Sequence, residues 1–200
     1  VLRLRAFFGA EGSKAKDYVP YRPAGLPAKI VAVANFKGGV GKTSTCAHLA
    51  MSAALDGYRV LMIDLDSQGS MTSIFGGSVA DEWGTVFPLL ARHYAQRLQA
   101  DNQRRMDRGE TPVALDDTLG EALGVRCQDV IQRSHWPNID LIGAQLNLYW
   151  SEFQIPVWRM QSRGWKLWDA LSDVLAADGI LSDYDLVFLD TPPALGYLTI

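Results

Sequence analysis

The sequence predicts an α/β fold, a mainly parallel twisted sheet with helices on both faces, from three observations. Short apolar runs recur at Ile30-Val31-Ala32-Val33-Ala34, Val60-Leu61-Met62-Ile63 and Leu186-Val187-Phe188-Leu189, too short for helices and suited to strands buried on both faces. A helical pattern fills Lys42 to Leu55, between the first two runs, and closes on Gly57 as a C′ residue. A glycine-rich turn, Lys37-Gly38-Gly39-Val40-Gly41, joins the first run to that helix. Strand, glycine turn, helix and strand make one βαβ unit, whose strands run parallel and whose crossover is right-handed.

The remaining elements are read in order. Residues 1–28, with aromatics, scattered charges and Pro20, Pro23 and Pro27, are expected to be an N-terminal arm and linker. Residues 29–200 are expected to be one domain whose carboxyl-terminal part lies outside this stretch. The chain begins at Val1 and stops in mid-pattern at Leu198-Thr199-Ile200, which reads as a fragment of a longer protein. Residues 78–137 form a polar, arginine-rich, helical segment. Trp83, Val86, Leu90 and Tyr94 share one helical face there, and Pro88 marks a break near its start. Asp101 to Asp117 reads as an exposed connection or a further helical turn. Ile139 to Gly143 reads as a strand, and Trp165, Trp168, Leu171, Val174 and Leu175 as the core-facing stripe of a helix.

Bulk properties narrow the function. The 200 residues suffice for one α/β domain with a buried core but not for two full domains. A formal net charge of −3 gives no support to wholesale coating of nucleic acid. Cys46 and Cys127 form no CxxC pair and read as small buried hydrophobes in a reducing cytoplasm. No stretch approaches the roughly 18 uninterrupted apolar residues of a membrane span, and the first thirty residues are not a signal peptide. His48, His93 and His135 are too dispersed for a metal site. Arg92, Arg97, Arg104, Arg105 and Arg108 read as a solvated helix face interrupted by Asp101 and Asp107.

The chemistry concentrates at the glycine turn. Phosphate oxygens need several donors converging on one point. Glycines let backbone N–H groups approach and turn inward, and the following helix N-terminus adds its dipole. Within Lys37-Gly38-Gly39-Val40-Gly41-Lys42-Thr43, Lys42 supplies a mobile charge for the β- and γ-phosphates and Thr43 a hydroxyl for Mg²⁺, with Ser44 placed for the α-phosphate. Phe36 occupies the first glycine position of the usual pattern, and Lys37 follows it. This is the deviant Walker A form, and here the sequence resembles the ParA/MinD superfamily of P-loop ATPases.

Two further segments carry the resemblance. Asp64-Leu65-Asp66-Ser67-Gln68-Gly69 resembles the family's second motif, with Ser67 in place of the usual proline. Leu189-Asp190-Thr191-Pro192-Pro193 resembles its Walker B segment. The resemblance implies a P-loop NTPase fold that uses ATP and Mg²⁺. Its nucleotide-binding residues would be Lys37, Gly38, Gly39, Val40, Gly41, Lys42, Thr43 and Ser44. It implies a metal site at Thr43, at Asp190 through water and at Asp64, and catalytic roles for Lys37, Lys42 and Asp66. Asp66 would orient the attacking water, and Lys37 would reach the phosphates of a second subunit.

The long segment after Gly76 and the preceding arm are more similar to larger plasmid-type ParA proteins, including RepA partition proteins of repABC replicons. That implies ATP-driven partition of plasmid or chromosomal DNA by an ATP-dependent homodimer, cytoplasmic and nucleoid-associated. The dimer would bind nonspecific DNA and answer to a ParB/RepB-like centromere-binding protein, with no membrane partner. MinD-like membrane cycling and a nucleotide-gated DNA-binding repressor remain the alternatives.

Overall fold

A computed structural model describes residues 26–162, 164–194 and 196–199; nearly all of the expected arm, residues 1–25, lies outside them. Five strands form one sheet in the order β1-β5-β2-β4-β3: β1 (Lys29–Val33), β2 (Val60–Asp64), β3 (Gln132–Arg133), β4 (Ile139–Ile142) and β5 (Leu186–Asp190). The first four in that order are parallel, and the two-residue β3 adds antiparallel to β4. The sheet is therefore parallel-dominant, as the sequence predicts.

Alternation along the strands divides the interior in two. Leu61, Ile63, Ile142 and Val187 point into the larger core, while Val60, Met62, Ile139, Leu141 and Phe188 point into the smaller. The smaller core is covered by α1 (Lys42–Leu55) and α2 (Ser70–Ile74). Buried Ala47, Ala50 and Ala54 keep α1 close to the sheet, and Gly57 follows at φ 89°, ending the helix as expected.

The larger core lies under α3 (Phe87–Asp107) and α7 (Leu167–Ala177). Short α4 (Asp117–Ala122), α5 (Cys127–Val130) and α8 (Ile180–Asp183) join them, together with α6 (Ser151–Gln161). Pro88 sits in the first turn of α3, where its missing N–H would have had no helical partner. Tyr94 stacks on Trp158 at 5.1 Å and meets Trp165 edge-on at 5.2 Å, which ties α3 to α6 and to the entry of α7. Among the described residues no helix is long and apolar enough to cross a membrane.

Five expectations are corrected. Strand β1 is not buried on both faces: in the described residues it is an edge strand, with Lys29, Ile30 and Ala32 exposed. The stretch from Asp101 to Asp107 is neither connection nor new turn but the end of α3, while Trp83 lies outside that helix in a 3₁₀ turn, Glu82–Gly84. Trp168 is 56% exposed, because α7 begins at Leu167 and turns Leu167, Ala170, Val174 and Leu175 inward instead. Arg92 is not solvated. Only 2% exposed, it donates to the Val125 carbonyl and, at 2.8 Å, to Asp178 Oδ2. Burial would raise the Asp178 carboxyl, but donors from Arg92 and the Cys127 N–H outweigh it and hold the group at about 2. Arg92 thus joins α3 to the far end of α7, a pairing across 86 residues that no local pattern reveals.

Candidate functional site

The parallel register sets three strand ends side by side, with Val33 opposite Asp190 and Asp190 opposite Asp64. Carboxyl ends of parallel strands are where such sheets gather ligand-binding groups. From β1 the chain runs through the exposed turn 34–41 and enters α1. Gly39 (φ 71°) and Gly41 (φ 86°) take left-handed backbone that a side chain would resist. Gly41 is the N-cap residue of α1, and no side chain caps that helix end. The first N–H groups of α1 therefore lack a side-chain acceptor and carry the positive end of the helix dipole. The turn is braced by the Lys37 N–H, which donates to Asn35 Oδ1 at 2.9 Å.

Around this turn lie three carboxylates in different circumstances. Asp64, fully buried, accepts from the Thr72 N–H and hydroxyl, each at 2.8 Å, and from the Asp66 N–H at 3.1 Å. Burial raises its pKa to about 6 against those three hydrogen bonds, with the nearby Asp190 charge adding to the rise. Asp190 is equally buried, yet neither carboxylate oxygen has a hydrogen-bond partner. Burial raises its pKa; the Thr43 hydroxyl, close but not in hydrogen-bonding geometry, lowers it, Asp66 raises it, and Lys42 lowers it. Asp66 is half-buried, and its Oδ1 accepts from the Gln68 N–H at 3.0 Å.

Beneath the two buried carboxylates lies Cys46 on α1, whose thiol is pushed up to about 12 by burial and then by Asp190 and Asp64. It and Cys127 are buried and unlinked, as the sequence suggests. The second loop, 65–69, turns at Gly69 (φ 62°), where a Cβ would stand 2.9 Å from the Ala144 carbonyl oxygen. Ser67, Gln68 and Gly69 face Ala144, Gln145 and Leu146 across an open cleft.

Of the residues singled out in the sequence, Lys42, Thr43, Asp66 and Asp190 come together around one point. Lys37, Val40 and Ser44 are exposed on the rim. A Cβ on Gly38 would lie 3.8 Å from Pro193 Cβ, which places the turn against the segment after β5. Asp64 stands in register beside Asp190, but its carboxylate is taken up by Thr72 and the Asp66 N–H. Two contributors escaped the sequence reading. Asn35 braces the turn, and Thr72 links Asp64 to Ala144 by accepting the Ala144 N–H at 2.8 Å. Neither belongs to a recognisable spacing.

A family model described as an AAA domain matches residues 28–200. Over 201 residues the chain is 34% identical to a protein named as a replication protein A in Sinorhizobium fredii, covering 98% of this chain and 42% of that one. It is 30% identical over 174 residues to the chromosome partitioning protein ParA of Caulobacter vibrioides, covering 87% and 51%. Among solved structures, cobyrinic acid a,c-diamide synthase of Mycobacterium smegmatis, crystallised with ADP and magnesium, superposes with a TM-score of 0.57. That match has 26% identity and covers 86% of this chain and 54% of that one. The chain thus spans about half or less of the length of the proteins it resembles.

Proposed function

From the premise that this chain belongs to the ParA/MinD family of AAA-domain proteins, we propose that it forms the nucleotide-binding part of a Mg²⁺-dependent ATPase that partitions plasmid or chromosomal DNA. The observation that carries the reading is Asp190: two buried carboxylate oxygens without a donor, beside the Thr43 hydroxyl and Lys42, behind a glycine turn. A buried unpaired carboxylate is costly, and such a group fits a ligand that brings positive charge. Thr43 and, through water, Asp190 would hold Mg²⁺, which when bound neutralises phosphate charge. The saturated Asp64 then serves to set the loop that carries Asp66.

The residues divide the work as follows. Backbone N–H groups of Gly38 to Gly41 and the open end of α1 cradle the phosphates, and Lys42 neutralises their β- and γ-oxygens. Asp66 orients the attacking water. Lys37 lies on the exposed rim and contributes by reaching the nucleotide of a second subunit, where it stabilises charge developing on the γ-phosphate. In this reading residues 29–200 are one ATPase domain with 78–137 as its helical segment. The ATP-bound homodimer holds nonspecific DNA on the nucleoid, and a ParB/RepB-like protein triggers hydrolysis and release.

The test is Lys37→Ala in the full-length protein. The variant is expected to bind one ATP per monomer nearly normally yet to lose ATP-dependent dimerisation by about 100-fold or more, the loss of a charged phosphate contact. Sedimentation with a non-hydrolysable ATP analogue reads this. Dimerisation equal to that of the unmodified protein removes the sandwich from the proposal.

A further inference from the structure

Thr72, in α2, is buried, and the two branches of its side chain meet different surroundings. The methyl branch packs: a Cβ on Gly143 would stand 3.1 Å from Thr72 Cγ2, and one on Gly77 3.2 Å from it. The hydroxyl branch bridges. It donates to Asp64 Oδ2 at 2.8 Å and accepts from the Ala144 N–H at 2.8 Å. A hydroxyl has one proton to give, an N–H only donates, and an ionised carboxylate only accepts. The direction of both bonds is therefore fixed. The other carboxylate oxygen of Asp64, Oδ1, accepts from the Asp66 N–H at 3.1 Å. One hydrogen-bonded chain thus runs from Ala144, just past β4, through Thr72 and Asp64 to Asp66. Asp64 is fully buried, so the chain lies where hydrogen bonds are strong and a broken one is costly.

We infer that Thr72 is a positioning residue for ATP hydrolysis: its hydroxyl, acting through Asp64, sets where Asp66 stands. The inference rests on the water-orienting role proposed above for Asp66. The loop around Asp66 supports it. The Leu65 N–H donates to the Asp190 carbonyl at 2.9 Å, which fixes the start of the loop, and the Gly69 N–H donates to the Asp66 carbonyl at 2.9 Å, which closes its turn. The Asp66 carboxylate is met by the Gln68 N–H at 3.0 Å, a contact within the same loop. The bond from the Asp66 N–H to Asp64 ties Asp66 itself back to the end of β2, and Thr72 extends that tie to Ala144. Ala144 anchors the loop a second time, because a Cβ on Gly69 would stand 2.9 Å from the Ala144 carbonyl oxygen. Without the Thr72 hydroxyl, the Ala144 N–H loses its acceptor and Asp64 Oδ2 keeps only the Thr72 N–H. A misplacement of about 1 Å in a group that acts on the reacting atoms can cost about 100-fold in rate. The chain does not touch Lys42 or the phosphate turn, so the cost falls on turnover and not on nucleotide affinity.

The experiment uses the full-length protein with Thr72→Val, which keeps the packed shape and removes the hydroxyl, and Thr72→Ser, which keeps the hydroxyl. Single-turnover ATP hydrolysis, counted per bound nucleotide, is expected to slow by about 10- to 100-fold in Thr72→Val, with the Kd for ATP unchanged within about threefold. Thr72→Ser is expected to hydrolyse ATP within about threefold of the unmodified rate. If Thr72→Val fails to fold by circular dichroism, Thr72→Ala replaces it as the variant without a hydroxyl. A double-mutant cycle reads the route of the effect: adding Thr72→Val to Asp66→Ala is expected to slow hydrolysis no further. Unchanged turnover without the hydroxyl overturns the inference, even where stability falls. So does a loss in Thr72→Ser as large as that in Thr72→Val, a loss traced to weaker ATP binding, or a double variant in which the two effects multiply. If Asp66→Ala hydrolyses ATP at the unmodified rate, the role of Asp66 fails and this inference with it. If Asp66→Ala is slow while Thr72→Val is not, the role of Asp66 stands and this inference alone falls.

Discussion

The ends of β2 and β5 lie side by side in the sheet, and each carries a fully buried aspartate whose pKa is raised by burial. Their surroundings differ completely. Asp64 accepts three hydrogen bonds from Thr72 and Asp66, whereas Asp190 accepts none. Burial costs a carboxylate several kcal/mol unless donors or a cation answer it. At β2 the fold answers its own charge, so Asp64 is part of the architecture. At β5 the fold leaves the charge unanswered beside Thr43 and Lys42, and in the proposed reading Asp190 serves the ligand that binds there. Two residues that look alike, each an aspartate ending an apolar strand, are thereby assigned different work.

The largest expected effect sharpens the β5 side. Lys42→Ala removes the flexible positive charge nearest Asp190 and the phosphate turn. ATP affinity measured by calorimetry is expected to fall by about 100-fold or more, with the fold retained. Tight binding in that variant would move the nucleotide away from this end of the sheet.

On the β2 side the expected loss is one of stability. Asp64→Ala strands three donors, two of them on Thr72, which in turn holds the Ala144 N–H. Chemical denaturation is expected to show a loss of about 3 kcal/mol. A loss below 1 kcal/mol would mean that Asp64 is not structural.

A smaller effect follows from protonation. The folded pKa of Asp64, about 6, lies above the ordinary value of 3.8, so the folded state holds an extra proton between those values. The stabilisation is complete below pH 4 and is lost as pH rises toward 6, by at most about 3 kcal/mol. Asp190 adds a slope of the same sign. Asp64→Asn is expected to flatten the decline between pH 4 and 6 without abolishing it. An unchanged slope would show that Asp64 titrates normally in the folded protein.

Much of this end of the molecule was legible in the sequence, because strand, turn and first helix are local. The βαβ unit, the glycine turn and the Asp at each strand end follow from runs of a few residues. The distinction between Asp64 and Asp190 was not legible, since it depends on Thr72, which reaches Asp64 through a loop of no fixed spacing. The segment from Ala144 to Gln161 was equally opaque. Helix α6 is apolar on opposite faces and contains Pro156, so neither its period nor its composition marks a helix. Strand β3 is two residues long. Arg92 sits in an arginine-rich stretch and looks solvated until Asp178 is brought to it from α7. Long-range pairings of this kind decide burial, and sequence pattern is blind to them.

The most direct measurement of the central claim is thermal unfolding of Asp190→Asn with and without Mg²⁺ and an ATP analogue. Removing an unanswered buried charge is expected to leave the nucleotide-free protein no less stable, or to raise its stability by about 1 kcal/mol. Mg²⁺ and analogue at a hundred times the Kd should stabilise the unmodified protein by about 2.7 kcal/mol and the variant by far less. A variant destabilised by several kcal/mol without ligand, and still stabilised in full by Mg²⁺ and the analogue, would make Asp190 a structural residue like Asp64 and contradict the account.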